Sequence, residues 1–231
     1  MSSSEGSKWR EWFQSLEVMA ATGLVFAVLY VVSLQLLGDE PPLAADAGEV
    51  ERWFADSARL AKTRLGVNLA PLSIIALIWF MAVFRRRLGT AEDKLFSTVF
   101  VGSGVVFSAL FLCGVAAVGA GALMVEYTGV APAVPTWQLV RALGRALLAA
   151  QAAKLATLFT ISMATVGLRS GAFMKVTAIL GYALGATMLI GALLRETVPY
   201  LLPAWIAIAS LDLLARRKVL PERMRHGHRE P

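Results

Sequence analysis

A lysine interrupts an apolar run that is otherwise suited to a membrane-spanning helix. The run is QAAKLATLFTISMATVG, residues 151–167, and the lysine is Lys154. A charge inside hydrocarbon is costly, so such residues usually face a bundle interior or a wet cavity. At about 100° per residue, Gln151, Lys154 and Thr157 share one broad face of the helix. This polar face predicts a binding site for an anionic ligand.

Two arginines precede this face on the same predicted helix, about residues 137–168. Helical spacing places Arg141 and Arg145 nearly opposite Lys154 and nearer the external end, where they would attract anions. Lys154 has a second interpretation. The helix is longer than the roughly 30 Å hydrocarbon core, so Lys154 lies about 9 Å below the outer boundary. Its side chain could then reach the surface, and the sequence leaves both interpretations open.

Other residues that often carry chemistry are sparse. The two histidines, His226 and His228, lie in a basic tail, and no predicted span contains one. Intramembrane bis-histidine haem is therefore excluded, and His-x-His alone is too small a ligand set for a metal site. Cys113 is the only cysteine. The sequence predicts no catalytic residue, no metal ligand and no cofactor.

Acidic residues within the predicted spans are few. Glu17 and Asp212 lie near cytoplasmic ends, and Asp212 has the favourable spacing for a helical ion pair with Arg216. Glu126 and Glu196 lie at external ends, so no acid is available at the depth of Lys154. The absence of paired mid-membrane carboxylates argues against a coupled proton pump.

The composition indicates that membrane-spanning helices carry the residues described above. The chain has 231 residues, of which 57% are hydrophobic and 16% are charged, whereas charged residues are about a quarter of a soluble domain. Its charges cluster between long apolar runs. The basic residues that give the net charge of +6 flank these runs. They therefore do not indicate nucleic acid as a partner. We expect an all-α, six-helix transmembrane bundle with spans near 16–38, 67–84, 95–125, 137–168, 173–194 and 198–215.

Two short amphipathic segments accompany the predicted spans. The first lies in residues 1–15, a cytoplasmic interfacial segment with Trp9 and Trp12 at helical spacing. The second is residues 46–65, on the external surface, with aromatic anchors on one face. The predicted organisation is thus the segment 1–15, a single transmembrane domain 16–215, and a basic cytoplasmic tail 216–231.

Basic residues near the span ends predict the orientation. With six spans, one side collects the basic clusters of the loops and tail, and the positive-inside rule makes that side cytoplasmic. Both termini are then cytoplasmic, and the more acidic loop between the first two spans is external. The lysines and arginines on the cytoplasmic side are Lys8, Arg10, Arg85, Arg86, Arg87, Lys94, Arg169, Lys175, Arg216, Arg217 and Lys218.

Small residues mark two predicted packing faces. Gly102 and Gly104 lie near the start of the third span, and Gly181 and Gly185 form a GxxxG pair in the fifth. Glycine lets helix backbones approach closely. These faces predict packing within the bundle, against a second copy of the chain, or against another membrane protein.

The run FRRRLGTAEDKLFSTVFVGSGVVF, residues 84–107, combines a basic span end, Arg-Leu-Gly, an acidic pair, an aromatic-rich span start and Gly-Ser-Gly. It resembles a segment of a family of uncharacterised bacterial multi-pass membrane proteins. The resemblance covers about a tenth of the chain and implies a bacterial inner-membrane protein without implying an activity.

Three classes of function are compatible with these features. The leading expectation is a non-catalytic membrane subunit or scaffold whose small-residue faces bind a partner. The alternative is a transporter, channel or binder for an anionic small molecule or lipid head group, using the face around Lys154. An intramembrane enzyme is disfavoured, since no nucleophile, base or metal set is visible. The first two classes differ in one feature, whether the face around Lys154 lines a cavity or packs against side chains.

Overall fold

The computed structural model describes residues 16–88, 94–191 and 197–216. Within these ranges the chain forms seven helices and no strand, which confirms the all-α prediction. The predicted interfacial segment 1–15 lies outside the described residues, as does the tail after residue 216. The helices are α1 (Leu16–Leu37), α2 (Ala47–Phe54), α3 (Ser57–Leu88), α4 (Lys94–Thr128), α5 (Val134–Arg169), α6 (Lys175–Ile190) and α7 (Val198–Arg216).

Five of these helices, α1, α3, α4, α5 and α7, are long and apolar enough to cross a membrane. Their number and character are those of a multi-pass membrane protein. The sixth predicted span, 173–194, corresponds to the shorter helix α6. It has 16 residues, or about 24 Å at 1.5 Å per residue, against a hydrocarbon core of roughly 30 Å.

Six helices form a closed ring. Helix α1 packs against α3 and α7, and the ring continues from α3 through α4, α5 and α6 back to α7. Apolar residues occur on every face of these helices. Each helix therefore buries one apolar face inside the bundle and exposes another apolar face on the outside. The outward side chains include Val28, Ile78, Val106 and Val176, each exposed. These outer faces suit contact with lipid.

Aromatic side chains fill the centre of the helix bundle near the turn between α5 and α6. The rings of Phe100 and Phe159 stack with centroids 4.9 Å apart, and those of Phe84 and Phe173 stack at 5.5 Å. Trp205 meets Phe173 edge-on and is fully buried. Large rigid rings bury much apolar surface in this part of the core.

The second amphipathic segment differs from its prediction. Instead of one surface helix over 46–65, the chain forms the short helix α2, and Ser57 already begins α3. Asp46 caps α2 by accepting a hydrogen bond from the backbone N–H of Glu49 at 2.7 Å. Asp56 then caps α3 by accepting from the N–H of Ala58 at 2.9 Å. The second cap lets residues 57–65 join the long helix instead of lying along the surface.

Candidate functional site

Residues 38–46, here called the strap, connect α1 to α2 and cross to the first turns of α5. Three contacts fix this connection. The indole N–H of Trp53 donates to the carbonyl of Asp39 at 2.9 Å, and the amide of Gln138 donates to the carbonyl of Leu43 at 2.9 Å. The third is an ion pair between Glu40 and Arg141. The strap is thus tied to α2 and α5.

A cavity of about 650 Å³ lies beside the strap, bounded mainly by α1, α5, α6 and the start of α7. We call it the cationic cavity, because the charged side chains that line it among the described residues are Arg141, Arg145 and Lys154. Its other lining residues are Leu34, Leu37, Gly38, Leu43, Val118, Ala142, Ala146, Leu148, Ala149, Ala150, Met188, Leu189, Gly191, Pro199 and Tyr200.

A change of helix type explains how the three cations come to one cavity. Helix α5 is α-helical over Val134–Ala146 and Ala153–Arg169 but π-helical over Leu147–Ala152. In an unbroken α-helix, Arg145 and Lys154 would differ by about 180°. A π turn accommodates one extra residue, which reduces that difference to about 80°. The prediction that Arg141 and Arg145 point away from Lys154 is therefore wrong.

Small side chains leave the space that the cations border. Ala142, Ala146, Ala149 and Ala150 line the cavity along α5. A row of leucines at these positions would fill the volume that the alanines leave open. Its walls therefore differ from the aromatic packing near the turn between α5 and α6.

Arg141 is buried, with 2% of its surface exposed. Its Nε lies 3.1 Å from Oε2 of Glu40, and its Nη2 donates to the backbone carbonyl of Glu40 at 3.1 Å. The guanidinium also lies over the ring of Trp137, 5.2 Å from the centroid. Glu40 thus offsets the charge of Arg141, which both borders the cavity and holds the strap.

Glu40 belongs to the strap, outside the helices that could cross the membrane. Burial raises the pKa of its carboxyl from the usual 4.5 to about 7, while Arg141, Trp137 and Arg145 act in the opposite direction. Burial outweighs these neighbours because removing a carboxylate from water is costly. The contact between the strap and α5 is consequently sensitive to protons near neutral pH.

Arg145 and Lys154 differ from Arg141 in having no carboxylate in direct contact among the described residues, although Arg145 lies close enough to Glu40 to lower the pKa of that carboxyl. Both side chains are exposed, and neither forms an ion pair within residues 16–88, 94–191 and 197–216. Among the residues that the structure describes, no carboxylate lines the cavity. A cleft bordered by one sign of charge and low-dielectric walls concentrates ions of the opposite sign.

The other two residues of the predicted polar face lie elsewhere. Gln151 is exposed and does not line the cavity. Thr157 is buried, and its hydroxyl lies 3.1 Å from the carbonyl of Ala153 and 3.2 Å from that of Gly185. It therefore joins α5 to α6. The expectation that Gln151 and Thr157 share a cavity with Lys154 does not hold. The predicted polar face of α5 covers a wider arc of the helix than the cavity does, and Thr157 contacts α6 instead.

Three of the four predicted packing glycines lie in tight contacts. A Cβ at Gly104 would lie 2.5 Å from Cε of Met81, one at Gly181 would lie 2.9 Å from Cβ of Ala164, and one at Gly185 would lie 2.8 Å from Cγ1 of Ile161. Gly102 has nothing within 4 Å of that position. The GxxxG pair thus packs α6 against α5 within one chain, whereas Gly102 lies on an open face.

Glu40 and Tyr200 are site residues that the sequence did not single out. Glu40 counts there only as one of several acids that mark an external loop, and Tyr200 as part of the sixth span. The sequence EPP, residues 40–42, signals a rigid connection, but spacing alone cannot pair Glu40 with an arginine 101 positions later.

Asp212 has a role that the sequence did not predict. Its Oδ2 accepts a hydrogen bond at 2.8 Å from the backbone N–H of Met174, the residue before α6. It therefore stabilises the start of α6 from α7. The side chain of Arg216, its predicted partner, lies outside the described residues.

Among the described residues, no group of three His, Cys, Asp or Glu side chains could hold a metal ion. Comparison with protein-family models, curated proteins and solved structures finds no match. What is established is a helical chain with five helices able to cross a membrane and a cavity bordered by three cations.

Proposed function

We propose that this chain is a multi-pass membrane protein that binds an anionic ligand, a small molecule or a lipid head group, in the cationic cavity. One observation carries the proposal. Arg145 and Lys154 border the same cavity, and neither forms a direct ion pair with an acid among the described residues. Two such cations repel each other, and a bound anion would relieve that repulsion.

The cavity has the size and lining of a ligand site. Its volume of about 650 Å³ lies within the range of roughly 300–1,000 Å³ that small-molecule sites occupy. Such sites combine mostly apolar walls with a few polar groups that fix orientation. Arg145 and Lys154 would serve as those groups, and Tyr200 adds a phenol to the same lining.

The topology that we propose has six crossings, with both termini cytoplasmic in a bacterial inner membrane. The distribution of lysine and arginine supports this orientation. The course of α6 supports the sixth crossing. Met174 at its start is held by Asp212 near the end of α7, and Met188 near its other end lines the cavity beside the strap. The cavity would then lie toward the external side.

The geometry favours the anion-binding class over the scaffold class. The scaffold interpretation relied on small-residue faces that are free to bind a partner, but Gly104, Gly181 and Gly185 already pack within the bundle, and of the four glycines Gly102 alone lies on an open face. The discriminating feature was a cavity beside Lys154, and Lys154 lines one. We therefore place ligand binding ahead of a purely structural role.

The test compares purified proteins in an uncharged detergent. Thermal unfolding is measured with added phosphatidic acid, phosphatidylcholine or inorganic phosphate. We expect the anionic additives to stabilise the wild type, and Lys154→Met and Arg145→Met to reduce that stabilisation. Lys62→Met is the matched control, because Lys62 is exposed and lies outside the cavity lining. Equal responses of the wild type and both cavity variants would exclude the proposed site.

A further inference from the structure

We infer that the ligand is a single-chain amphiphile, with a phosphate or carboxylate head and one hydrocarbon chain. This inference rests on the proposed function and goes beyond it by naming the chemical class of the ligand. It follows from the distribution of charge over the cavity walls and from the cavity volume.

Among the described residues, the charged side chains of the lining all come from α5, which also contributes four alanines and Leu148, whereas the other helices contribute no charge. Arg141, Arg145 and Lys154 all belong to α5. The α1 side contributes Leu34 and Leu37, while the wall formed by α6 and the start of α7 contributes apolar residues. The apolar members of that wall are Met188, Leu189 and Pro199. The cavity is therefore amphipathic across its width.

Neither a bare anion nor a neutral lipid matches both walls. Inorganic phosphate could bind the cations but would leave the leucine and methionine walls in contact with water. An uncharged lipid could cover those walls but would leave Arg145 and Lys154 without a counter-charge. A ligand with an anionic head against α5 and a hydrocarbon chain against α1 and α6 satisfies both.

The volume limits how much hydrocarbon the cavity can hold. At about 30 Å³ for each water-sized group, about 650 Å³ accommodates on the order of twenty such groups. This is enough for a head group and one chain of moderate length. A phospholipid with two full chains would extend beyond the cavity.

The spacing of Arg145 and Lys154 along α5 is compatible with a shared head group. The two residues are nine positions apart, or about 14 Å at 1.5 Å per residue, and both have long, flexible side chains. The head group is thus expected between these two residues, with the chain extending along Leu34 and Met188.

The experiment measures the affinity of the wild type, in an uncharged detergent, for inorganic, ethyl, butyl and hexyl phosphate. Each buried methylene is worth about 0.8 kcal/mol, or about fourfold in Kd. We expect such an increase per methylene along the alkyl series. Hexanol and hexyltrimethylammonium chloride correct for partition into micelles, since they have the same chain without the anionic head.

A cavity-filling variant separates the chain from the head group. Ala149→Phe should abolish the dependence on chain length while leaving weak binding of inorganic phosphate, because the three cations remain. Ala58→Leu, at an exposed position outside the cavity, is the control for added bulk.

The outcomes distinguish this inference from the proposed function. Affinity that rises with chain length in the wild type and not in Ala149→Phe supports the amphiphile. Equal affinity for inorganic and hexyl phosphate overturns it and leaves anion binding intact. Binding of no phosphate compound overturns both. The wild-type series alone decides the matter if Ala149→Phe fails to fold.

Discussion

Replacing Glu40 with glutamine should remove a pH dependence of stability that the wild type possesses. Burial raises the pKa of Glu40 from 4.5 to about 7, so the folded protein retains this proton where the unfolded chain has released it. A raised folded-state pKa contributes stability that is complete below pH 4.5 and is lost as the pH rises through about 7. The neutral amide of Glu40→Gln has no such transition.

The size of the effect follows from the same shift. One pKa unit corresponds to about 1.4 kcal/mol, so the change between 4.5 and about 7 corresponds to about 3 kcal/mol. A chain of this length changes its Tm by about 2–4 °C per kcal/mol. Between pH 4.5 and 8, the Tm of the wild type should therefore fall by roughly 6–12 °C relative to that of Glu40→Gln.

The assay is thermal unfolding in an uncharged detergent, followed by tryptophan fluorescence at one scan rate, since membrane proteins often unfold irreversibly. Glu126→Gln is the control. Glu126 is an acid with 43% of its side chain exposed, 3.5 Å from Arg64, and its removal should leave the profile parallel to that of the wild type. Parallel profiles for wild type and Glu40→Gln would refute the reasoning. A wild type that gains stability with pH would show that the pairing with Arg141 outweighs burial.

Two further predictions concern packing and topology. Gly185→Leu should destabilise the protein by about 1–3 kcal/mol, because the leucine side chain would meet Ile161. Gly102→Leu is the control and should leave the Tm and the yield unchanged, because nothing lies within 4 Å of a Cβ at that position. Equal losses of stability in the two variants would contradict the packing. The topology is tested in a Cys113→Ala background with an impermeant thiol reagent applied to intact cells. The reagent should label Glu51→Cys, on the external side, and should not label Ser170→Cys, on the cytoplasmic side. Labelling of Ser170→Cys would contradict the proposed orientation.

Much of the fold could be predicted because membrane helices leave a strong pattern in sequence. Long apolar runs and the charges between them indicated an all-α bundle, and five helices have the length and composition to cross a membrane. Asp46 precedes Glu49 by three residues, which is the spacing of a helix cap that a sequence can show, and the N–H of Glu49 donates to the carboxylate of Asp46 at 2.7 Å. The break at Asp56 was missed, since its capping role depends on a turn that hydrophobic periodicity does not reveal.

The candidate site was only partly predictable. Lys154, Arg141 and Arg145 were identified as charges on an apolar helix, which is a signal of residue type alone. Their grouping depends on the π-helical turn Leu147–Ala152, and a constant rotation of 100° per residue cannot anticipate it. Glu40 could not be assigned to Arg141, because their contact depends on the tertiary path of the strap.

The most direct measurement is equilibrium dialysis of labelled hexyl phosphate against the purified protein. We predict one bound molecule per wild-type chain. In the Arg145→Met, Lys154→Met double variant, binding should weaken at least tenfold, since a hydrogen bond to a charged group is worth about 1.5–3 kcal/mol. The double variant Arg59→Met, Lys62→Met, altered outside the cavity lining, should bind like the wild type. Equal binding by both double variants would contradict the claim that the cationic cavity holds an anion.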